Sequence, residues 1–585
     1  MLAPRVIFIS RRPQPSHITR APTLKKKHNP PTKNQAAAPS PLLRLRPCPA
    51  PRAVAAAAAS ASPSARASAS AGQLRDAWMQ ANVSPLAEQQ RRQGAAAPLT
   101  ASAPLSALRA AAAALLPALR VPTLRSEEYR FTDLAPLTSA GLVAAAADAP
   151  SDPAVASLAR ALTREAKGAA VVTVDGAYCA ALSDASALCS AGGGGVYVGP
   201  VAGAPAEAAA QLGRLSAARG GPFAAVNGAL ATDAVVLHVP AGAAPLSGPL
   251  FVLHLTTGRA AAAASAAGGG GGGGGARAAS APRVLVVLGA GAEAALVEEH
   301  ASASPSGSFE AAVVEVVLGE GARLEHSYAA RPGSGDPSAD DSAAAAARSP
   351  AADPSAAAAA PSTALPLPPV HLRATLVEQA AGSSYSLVEA RAGGAAGALT
   401  RHDVDVTQLG GDTATAMSHF VLCGPGQLHD LHTRLQLDHP RAKARQLHKC
   451  IASSATSRGV FDGAVRVGRL AQQTDAGQLT RSLLLAPRAT VHARPNLQIV
   501  ADDVRCTHGC AISDLSDEEM FYFRARGVPA ASARGALVAS FGSEVVRALG
   551  SAALAARVRA DTVAALRAAD ALPPAAAVGA GVVGA

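Results

Sequence analysis

The residues of this chain best equipped for chemistry sit together in "DDVRCTHGCAISDL", residues 502–515, where Cys506, His508 and Cys510 occupy alternate positions. Thiolate and imidazole are soft and borderline donors, suited to iron or zinc and, in other arrangements, to nucleophilic catalysis. Spacing restricts both uses. A strand rises ~3.3 Å per residue, so alternate side chains share a face but stand about 6.5–7 Å apart. A structural zinc needs four ligands at about 2.0–2.3 Å, and no second CxxC or HxxxH pair completes a shell. A thiol–imidazole catalytic pair needs a contact of about 3 Å, which the same spacing denies. What the spacing leaves is a row presented outward near the end of a β core, which can give one or two ligands to a site completed by another chain. The plainer alternative makes both cysteines small core residues and His508 a satisfied polar group.

A second cluster is "HDLHTRLQLDHPRAKARQLHKC" (429–450), containing His429, His432, His439, His448 and Cys450. Solvated turn histidines are the expectation here rather than a metal site. Asp502 and Asp503, placed next to each other on a strand, would point to opposite faces. That is the wrong arrangement for the paired carboxylates of a polysaccharide-active β-helix enzyme, the rival functional class.

These residues must be positioned by a chain of 585 residues, long enough for two or three domains or one elongated one. Residues 1–70 carry twelve Lys and Arg and no Asp or Glu, out of 52 basic and 41 acidic residues in all. The remainder, with 40 basic against 41 acidic, is close to neutral, so no chain-wide charge favours nucleic acid. The basic, Ser/Ala/Pro-rich opening looks like an organelle transit peptide, and the Ala and Gly bias of a GC-rich genome favours the plastid. No stretch has the length and apolarity of a membrane helix. Seven cysteines at irregular spacings do not make a secreted disulfide framework.

Residues 73–93 and 104–119 read as helices of an N-terminal helical region spanning 71–168, with "VPTLRSEEYRFTDLAPL" (121–137) as a helix-to-turn segment. From 169 to 515 short Val- and Leu-rich runs such as "AAVVTVDGAY" and "PRVLVVLGAG" alternate with Gly, Pro and Asp turns. No long helical pattern intervenes, which argues against a βαβ sheet. The length of this field and its scarcity of aromatics favour a β-solenoid over a sandwich, although no clean repeat period is visible. Two inserts, 259–281 with eight consecutive glycines (268–275) and 331–366, are expected as flexible surface loops. None of the seven lysines follows a Gly, so no Walker A nucleotide loop exists. From 516 to 570 the pattern is helical: Ser516 and Glu519 form a capping box, Gly527 stops the first helix, and Leu537, Phe541, Val545 and Leu549 line one face of a second that ends at Gly550. A third helix covers 551–570, and 571–585 is a disordered tail. Helical ends are expected to cap the solenoid's edges.

Collinear segments now carry a family resemblance. "PTLRSEEYRFTDL" (122–134), "DLHTRLQLDHP" (430–440), "GVFDGAVRVGRLAQQTDAGQLTRSLLLAPRA" (459–489), "RPNLQIVADDVRCTHG" (494–509) and "ISDLSDEEMFYFRARGV" (512–528) resemble SufD, a subunit of the SUF iron–sulfur cluster assembly scaffold. The resemblance covers about 120–550 outside the inserts. It implies a right-handed parallel β-helix flanked by N-terminal and C-terminal helical regions. It also implies pairing with a SufB-like paralogue and docking of a SufC-like ABC ATPase on the C-terminal helices. There "FYFRARG" supplies Phe521, Tyr522, Phe523, Arg524 and Arg526 as partner contacts. By the same resemblance a transient iron–sulfur cluster forms at the paralogue interface, with His508 as the candidate ligand and Cys506 the weaker one. The chain is then a plastid-stromal, non-catalytic scaffold without a nucleotide site of its own; a purely structural plastid adaptor is the further alternative. "CTHG" stands where SufB carries a His-Glu-Ala run. Gln498 stands where the family usually has Glu, and Cys510 where it usually has a small residue.

Overall fold

The computed structural model describes residues 76–96, 102–145, 151–191, 195–266, 275–303, 307–331 and 367–569. The targeting segment read at 1–70, nearly all of the second insert and the tail at 571–585 lie outside them. The chain climbs by placing strands alternately in two sheets. Arg283–Leu288, Ser308–Leu318, Val370–Gln379, Leu399–Gln408, Leu428–Leu437, Arg458–Val467 and Thr490–Ile499 pair in that order, all parallel, in the first sheet. Glu293–Ser302, Arg323–Arg331, Ser384–Arg391, Ala414–Cys423, Lys443–Ala452, Asp475–Leu484 and Arg505–Ser513 do the same in the second. One strand per sheet per turn makes a parallel β-helix of about seven turns.

The repeat that the sequence conceals is set by the turns between the two sheets. At six of them, all but the last, a single residue takes the left-handed backbone conformation: Gly291, Gly321 and Gly382 in the earlier turns, then Asp412, Arg441 and Gln473, with φ between +60° and +69°. The residue's own N–H bonds a carbonyl of the next rung's turn, as in Gly382 to Gly411 (2.9 Å) and Arg441 to Gln472 (2.9 Å). The turns thus form a ladder of their own. Glycine adopts this geometry without steric cost, and the later turns accept about 1–2 kcal/mol each for a side chain there. Two of those side chains pair, Arg441 to Asp412 at 2.6 Å.

Helices cover the two outer faces. Tyr129, Leu134, Leu137 and Phe223 pack with Phe309, Val370, Leu372, Leu399, Leu428 and Val460 on the first sheet. On the second, Val538, Val545, Val546, Leu549 and Leu554 pack with Phe420, Ile451 and Leu483. The expected continuous helix through Phe541 and Val545 is broken: it runs Ala530–Phe541 and resumes at Ser543–Arg547. A Cβ on the intervening Gly542 would lie 2.3 Å from the Phe420 ring, so the chain can cross that ring only at glycine. The third helix, Ala552–Ala568, and the Ser516 N-cap follow the sequence reading; Ser516 accepts from the Glu518 N–H.

Other expectations change. The C-terminal helices lie along the second sheet instead of capping the tube, and Thr490–Ile499 and Arg505–Ser513 each pair on one side only. It is the opposite end that is closed, by antiparallel strands Tyr197–Pro200 and Ala177–Tyr178. The first insert is loop only in part. Arg259–Ala266 is helical, and Ala276–Ser280 is a strand pairing with Gly141–Ala144 and with Ser308–Glu310. Short helices also interrupt the early β field, among them Gly221–Leu230, whose Asn227 bonds the Pro282 and Ala311 carbonyls.

The N-terminal segment is fastened by one buried ion cluster. Arg401 donates to Asp430 (2.6 Å), Asp403 (2.7 Å) and the Glu128 carbonyl (2.8 Å) while lying 3.9 Å over the Tyr129 ring, and Thr132 donates to Asp430. Burial alone would raise Asp430, but Arg401 and His432 outweigh it and hold the carboxyl at about 2. Because the folded value lies below the unfolded one, this stabilisation is complete above about pH 4 and fades as pH falls towards 2. It is on the order of 2 kcal/mol. Arg401→Ala strands the buried carboxylate and should cost about 3–5 kcal/mol in urea unfolding at pH 7. Arg441→Ala, on an exposed pair, should leave the midpoint in place. An unchanged midpoint in Arg401→Ala would remove the cluster from this role.

Candidate functional site: the open end and the polar lumen

Cys506, His508 and Cys510 stand on Arg505–Ser513, the last rung of the second sheet. Register decides where they point. Cys506 lies over Ala476, His508 over Gln478 and Cys510 over Thr480, and all three lower residues are buried inside the tube. The row therefore occupies the lumen-facing side of the final rung, and the expectation that it is presented outward is overturned. Parallel stacking gives register partners the same facing, and the interior identity of Ala476, Gln478 and Thr480 settles it. The row still meets solvent because no strand pairs beyond it among the described residues. His508 and Cys510 are exposed. Cys506 is half-buried against Ala476 and its neighbours, and burial pushes its thiol upward.

Spacing behaves as the strand geometry requires. Among the described residues the row does not bring three donor atoms within ligating distance of one another. It can offer one or two ligands across the tube's mouth and cannot close a shell alone. Gln498 is exposed on the neighbouring terminal strand, and His492 stacks on Phe131 with ring centroids 4.0 Å apart. Asp502 and Asp503 lie in the exposed turn between the last two strands, not on a strand as expected, and Asp503 is held by the Gln472 side chain.

Below the mouth the lumen is polar along one side. The Cys510 position heads a column that descends through Thr480, His448, His419, Glu389 and Tyr328 to Glu298. On the facing sheet His429, Thr400, His371 and Glu310 form another. His429 and His448 are thus buried interior groups and not solvated turn residues, while His432 is buried on the outer face beside Asp430 and only His439 sits at a turn. The Thr–Leu–Gln alternation around them was the strand signal that places them so. Sequence reading missed Glu298, His300, His326, His371, Arg373, Glu389 and His402 altogether. Their one signal was a charged or imidazole residue at alternate positions in otherwise apolar runs, as in "VEEHAS" and "VHLRAT".

The network is organised by carboxylates. Glu298 takes both terminal nitrogens of Arg373 (2.5 and 2.9 Å), His300 (3.0 Å) and His326 (3.1 Å). Glu389 takes His402 and His419, each at 2.9 Å, and pairs with Arg391 at 2.7 Å. Burial opposes ionisation of both, but the surrounding cations and ring N–H groups outweigh it and hold them well below the usual carboxylate range. Burial dominates the other way at His254 and His402, pushed down to about 4, and at His429, pushed down to about 3. Near neutral pH these rings are uncharged and can serve as acceptors. Two thiols, Cys423 and Cys450, face each other in this interior with sulfurs 4.0 Å apart.

Phe521, Tyr522, Arg524 and Arg526 are exposed on and just after helix Asp517–Arg524, with Phe523 half-buried; the Arg526 guanidinium lies 3.5 Å over the Tyr522 ring.

A two-sheet parallel β-helix with helices on both flanks and a last rung bearing thiol and imidazole defines the chain as a flanked β-solenoid protein. Comparison with known proteins says which. Residues 271–353 and 366–541 match the SUF system FeS cluster assembly, SufBD core domain, and residues 89–246 match the SufBD protein N-terminal region. The chain is 36% identical over 446 residues to Protein ABCI7, chloroplastic, of Arabidopsis thaliana, covering 76% of this chain and 82% of that one. It is 30% identical over 441 residues to an iron-sulfur cluster assembly SufBD family protein of Synechocystis, covering 74% and 85%. To the iron-sulfur cluster assembly protein SufD of Escherichia coli it is 34% identical over 173 residues, 29% of this chain and 39% of that one. The chain belongs to the SufBD family of SUF-system iron–sulfur cluster assembly proteins, and its resemblance is to the SufD type.

Burial orders the thiols by reactivity. In the native chain, Cys510 and the exposed Cys189 should react fully with a maleimide while Cys506 lags and Cys423 and Cys450 stay unmodified until denaturant is added. Peptide mapping showing Cys450 labelled as fast as Cys510 would contradict the closed lumen.

Proposed function

We propose that this chain is a SufD-type scaffold subunit of a SufBCD-like complex that assembles iron–sulfur clusters in the plastid stroma. It pairs with a SufB-like paralogue, docks a SufC-like ATPase, and leaves ATP hydrolysis to that partner. The observation that carries the reading is the unfinished end of the β-helix. Thr490–Ile499 and Arg505–Ser513 each offer a row of backbone N–H and C=O groups on one side, which strands of another chain can pair with. The exposed Ile499, Val500 and Ile512 supply apolar area to the same contact.

In this reading the nascent cluster is cargo, held where the two tubes meet. His508 donates its imidazole from the last rung and Cys506 is the secondary donor; a paralogue supplies the rest. Their facing into the mouth of the tube suits a site enclosed between two abutting ends better than one on a lateral surface. Phe521, Tyr522, Phe523, Arg524 and Arg526 serve the ATPase, since exposed aromatic and Arg side chains are the usual anchors of an interface. Plastid placement draws on the chloroplastic relative and on the basic, acid-free residues 1–70.

Reconstitution tests this in two arms. His508→Ala in the complete complex should leave assembly intact and reduce iron–sulfur absorbance under anaerobic reconstitution at least about tenfold, because the ligand is lost while the edge strands still pair. Normal cluster yield would end the ligand role and leave the scaffold role. The double variant Phe521→Ala/Tyr522→Ala should weaken ATPase capture by about 2 kcal/mol or more, roughly thirtyfold, while retaining the paralogue. Undiminished ATPase binding would move that interface elsewhere.

A further inference from the structure

Deep in the lumen, several turns away from the open rung, lies a group of donors that the scaffold reading does not use. Among the described residues, two sets of three potential ligands have their donor atoms within 4.8 Å of one another: His254, Glu298 and His300, and His300, Glu310 and His371. Arg373 bears on them unequally. It engages Glu298 on both oxygens, so an ion in the first set would sit against a guanidinium, whereas in the second set it reaches the outer Nε2 of His300 at 3.1 Å, across the ring from Glu310.

The second set is arranged differently. Glu310 Oε1 has His300 Nδ1 at 2.5 Å and His371 Nδ1 at 2.7 Å, with the two rings at 70° and their centroids 4.9 Å apart. The far nitrogen of each ring is already oriented: His300 Nε2 lies 3.0 Å from Glu298 Oε1 and His371 Nε2 lies 2.8 Å from the Tyr328 hydroxyl. Metal-binding histidines are held in this way, with the outer N–H given to a carboxylate or hydroxyl so that the inner nitrogen presents its lone pair. One side of the set opens on a small cavity of about 10 Å³, room for about one water, that Thr256 and Ser308 also line. From these observations we infer that His300, Glu310 and His371 form a binding site for a divalent first-row transition-metal ion, ligated through two Nδ1 atoms and one carboxylate, with its remaining position facing that cavity.

Two imidazoles and a carboxylate with an open position suit zinc, ferrous iron or cobalt rather than magnesium or calcium, which prefer oxygen, or copper(I), which prefers sulfur. A neutral ring gives its Nδ1 lone pair to the ion by moving its single proton from Nδ1 to Nε2: at His300 Glu298 Oε1 accepts that proton in place of the Arg373 contact, and at His371 the Tyr328 hydroxyl turns from donor to acceptor. Bonds of about 2.0–2.2 Å put neighbouring donors about 3–3.5 Å apart, so the three groups must spread by roughly half an ångström to one ångström. An open fourth position makes the ion exchangeable rather than a closed structural centre.

The test uses the full chain, stripped with chelator and titrated anaerobically with Co²⁺. To silence the mouth of the tube, the titration is done on Cys506→Ser/His508→Ala/Cys510→Ser. This variant should bind one Co²⁺ with ligand-field absorption and no thiolate charge-transfer band. Adding Glu310→Gln should weaken binding at least about tenfold, and Tyr328→Phe, which touches only the orientation of His371, about tenfold. The triple variant changes side chains of the last rung, several turns from the site, so its failure to bind Co²⁺ overturns the site outright, as does unaltered affinity with Glu310→Gln in place. Neither failure touches the scaffold reading, which stands on the open rung.

Discussion

A parallel β-helix imposes one rule on its sequence: every inward side chain lies directly over its counterpart a turn below. Backbone hydrogen bonds fix that register, and a slip of one residue would turn the whole interior outward. In this chain the rule is met on one side by Val, Leu and Ala stacked against like residues, as in Val286 over Val316 and Val377. On the other side it is met by charge. Glu298, Arg373, His300 and Glu310 are each at least 96% buried, a placement that would be strongly unfavourable for any of them alone. They persist because consecutive rungs deliver opposite charge and complementary donors to the same height.

Stacking also explains what could and could not be read from the sequence. Strand-rich runs, the solenoid class and the helical ends were legible, because they rest on local periodicity and caps such as Ser516. The repeat was not. First-sheet strands begin at Val370, Leu399, Leu428, Arg458 and Thr490, spacings of 29, 29, 30 and 32 residues, yet the turn residue that marks each rung changes from Gly to Asp, Arg and Gln. Backbone conformation repeats where identity does not. The buried histidines escaped for a related reason. "HDLHTRLQLDHP" is polar by composition, and only knowledge of the neighbouring rung shows that His429 meets Thr400 and His432 meets Arg401.

The facing of Cys506, His508 and Cys510 is the most instructive difference. Their expected outward presentation followed from treating the strand in isolation, where either face is available. Rung pairing assigns them to the inside, and the ending of the described β-helix at this rung exposes them again. A residue can thus be interior by register and accessible by position. The consequence is geometric: donors at the mouth of a tube are reached along its axis, where the edges of the last two strands also lie. On the proposed function, that one surface would supply both the hydrogen bonds for association and the ligands that association completes.

That geometry bears on why helices flank the tube and do not seal it. A long stack with a free edge invites indiscriminate strand addition, and natural sheets blunt such edges. Here the edge strand Arg505–Ser513 carries Arg505 and is followed by Asp514, which pairs with Arg534. The far end is closed by antiparallel strands whose hydrogen bonds end the ladder. One end is therefore finished, and the other presents charge, exposed apolar side chains and the donor row, the features that the proposed pairing would read. The C-terminal helices, held to the second sheet through Lys449–Glu544 and Arg557–Glu299, tie that end to rungs much lower in the tube. A force applied to the exposed Phe521–Tyr522 helix is then borne by the β-helix through the same packed helices, and a rigid stack transmits displacement instead of absorbing it.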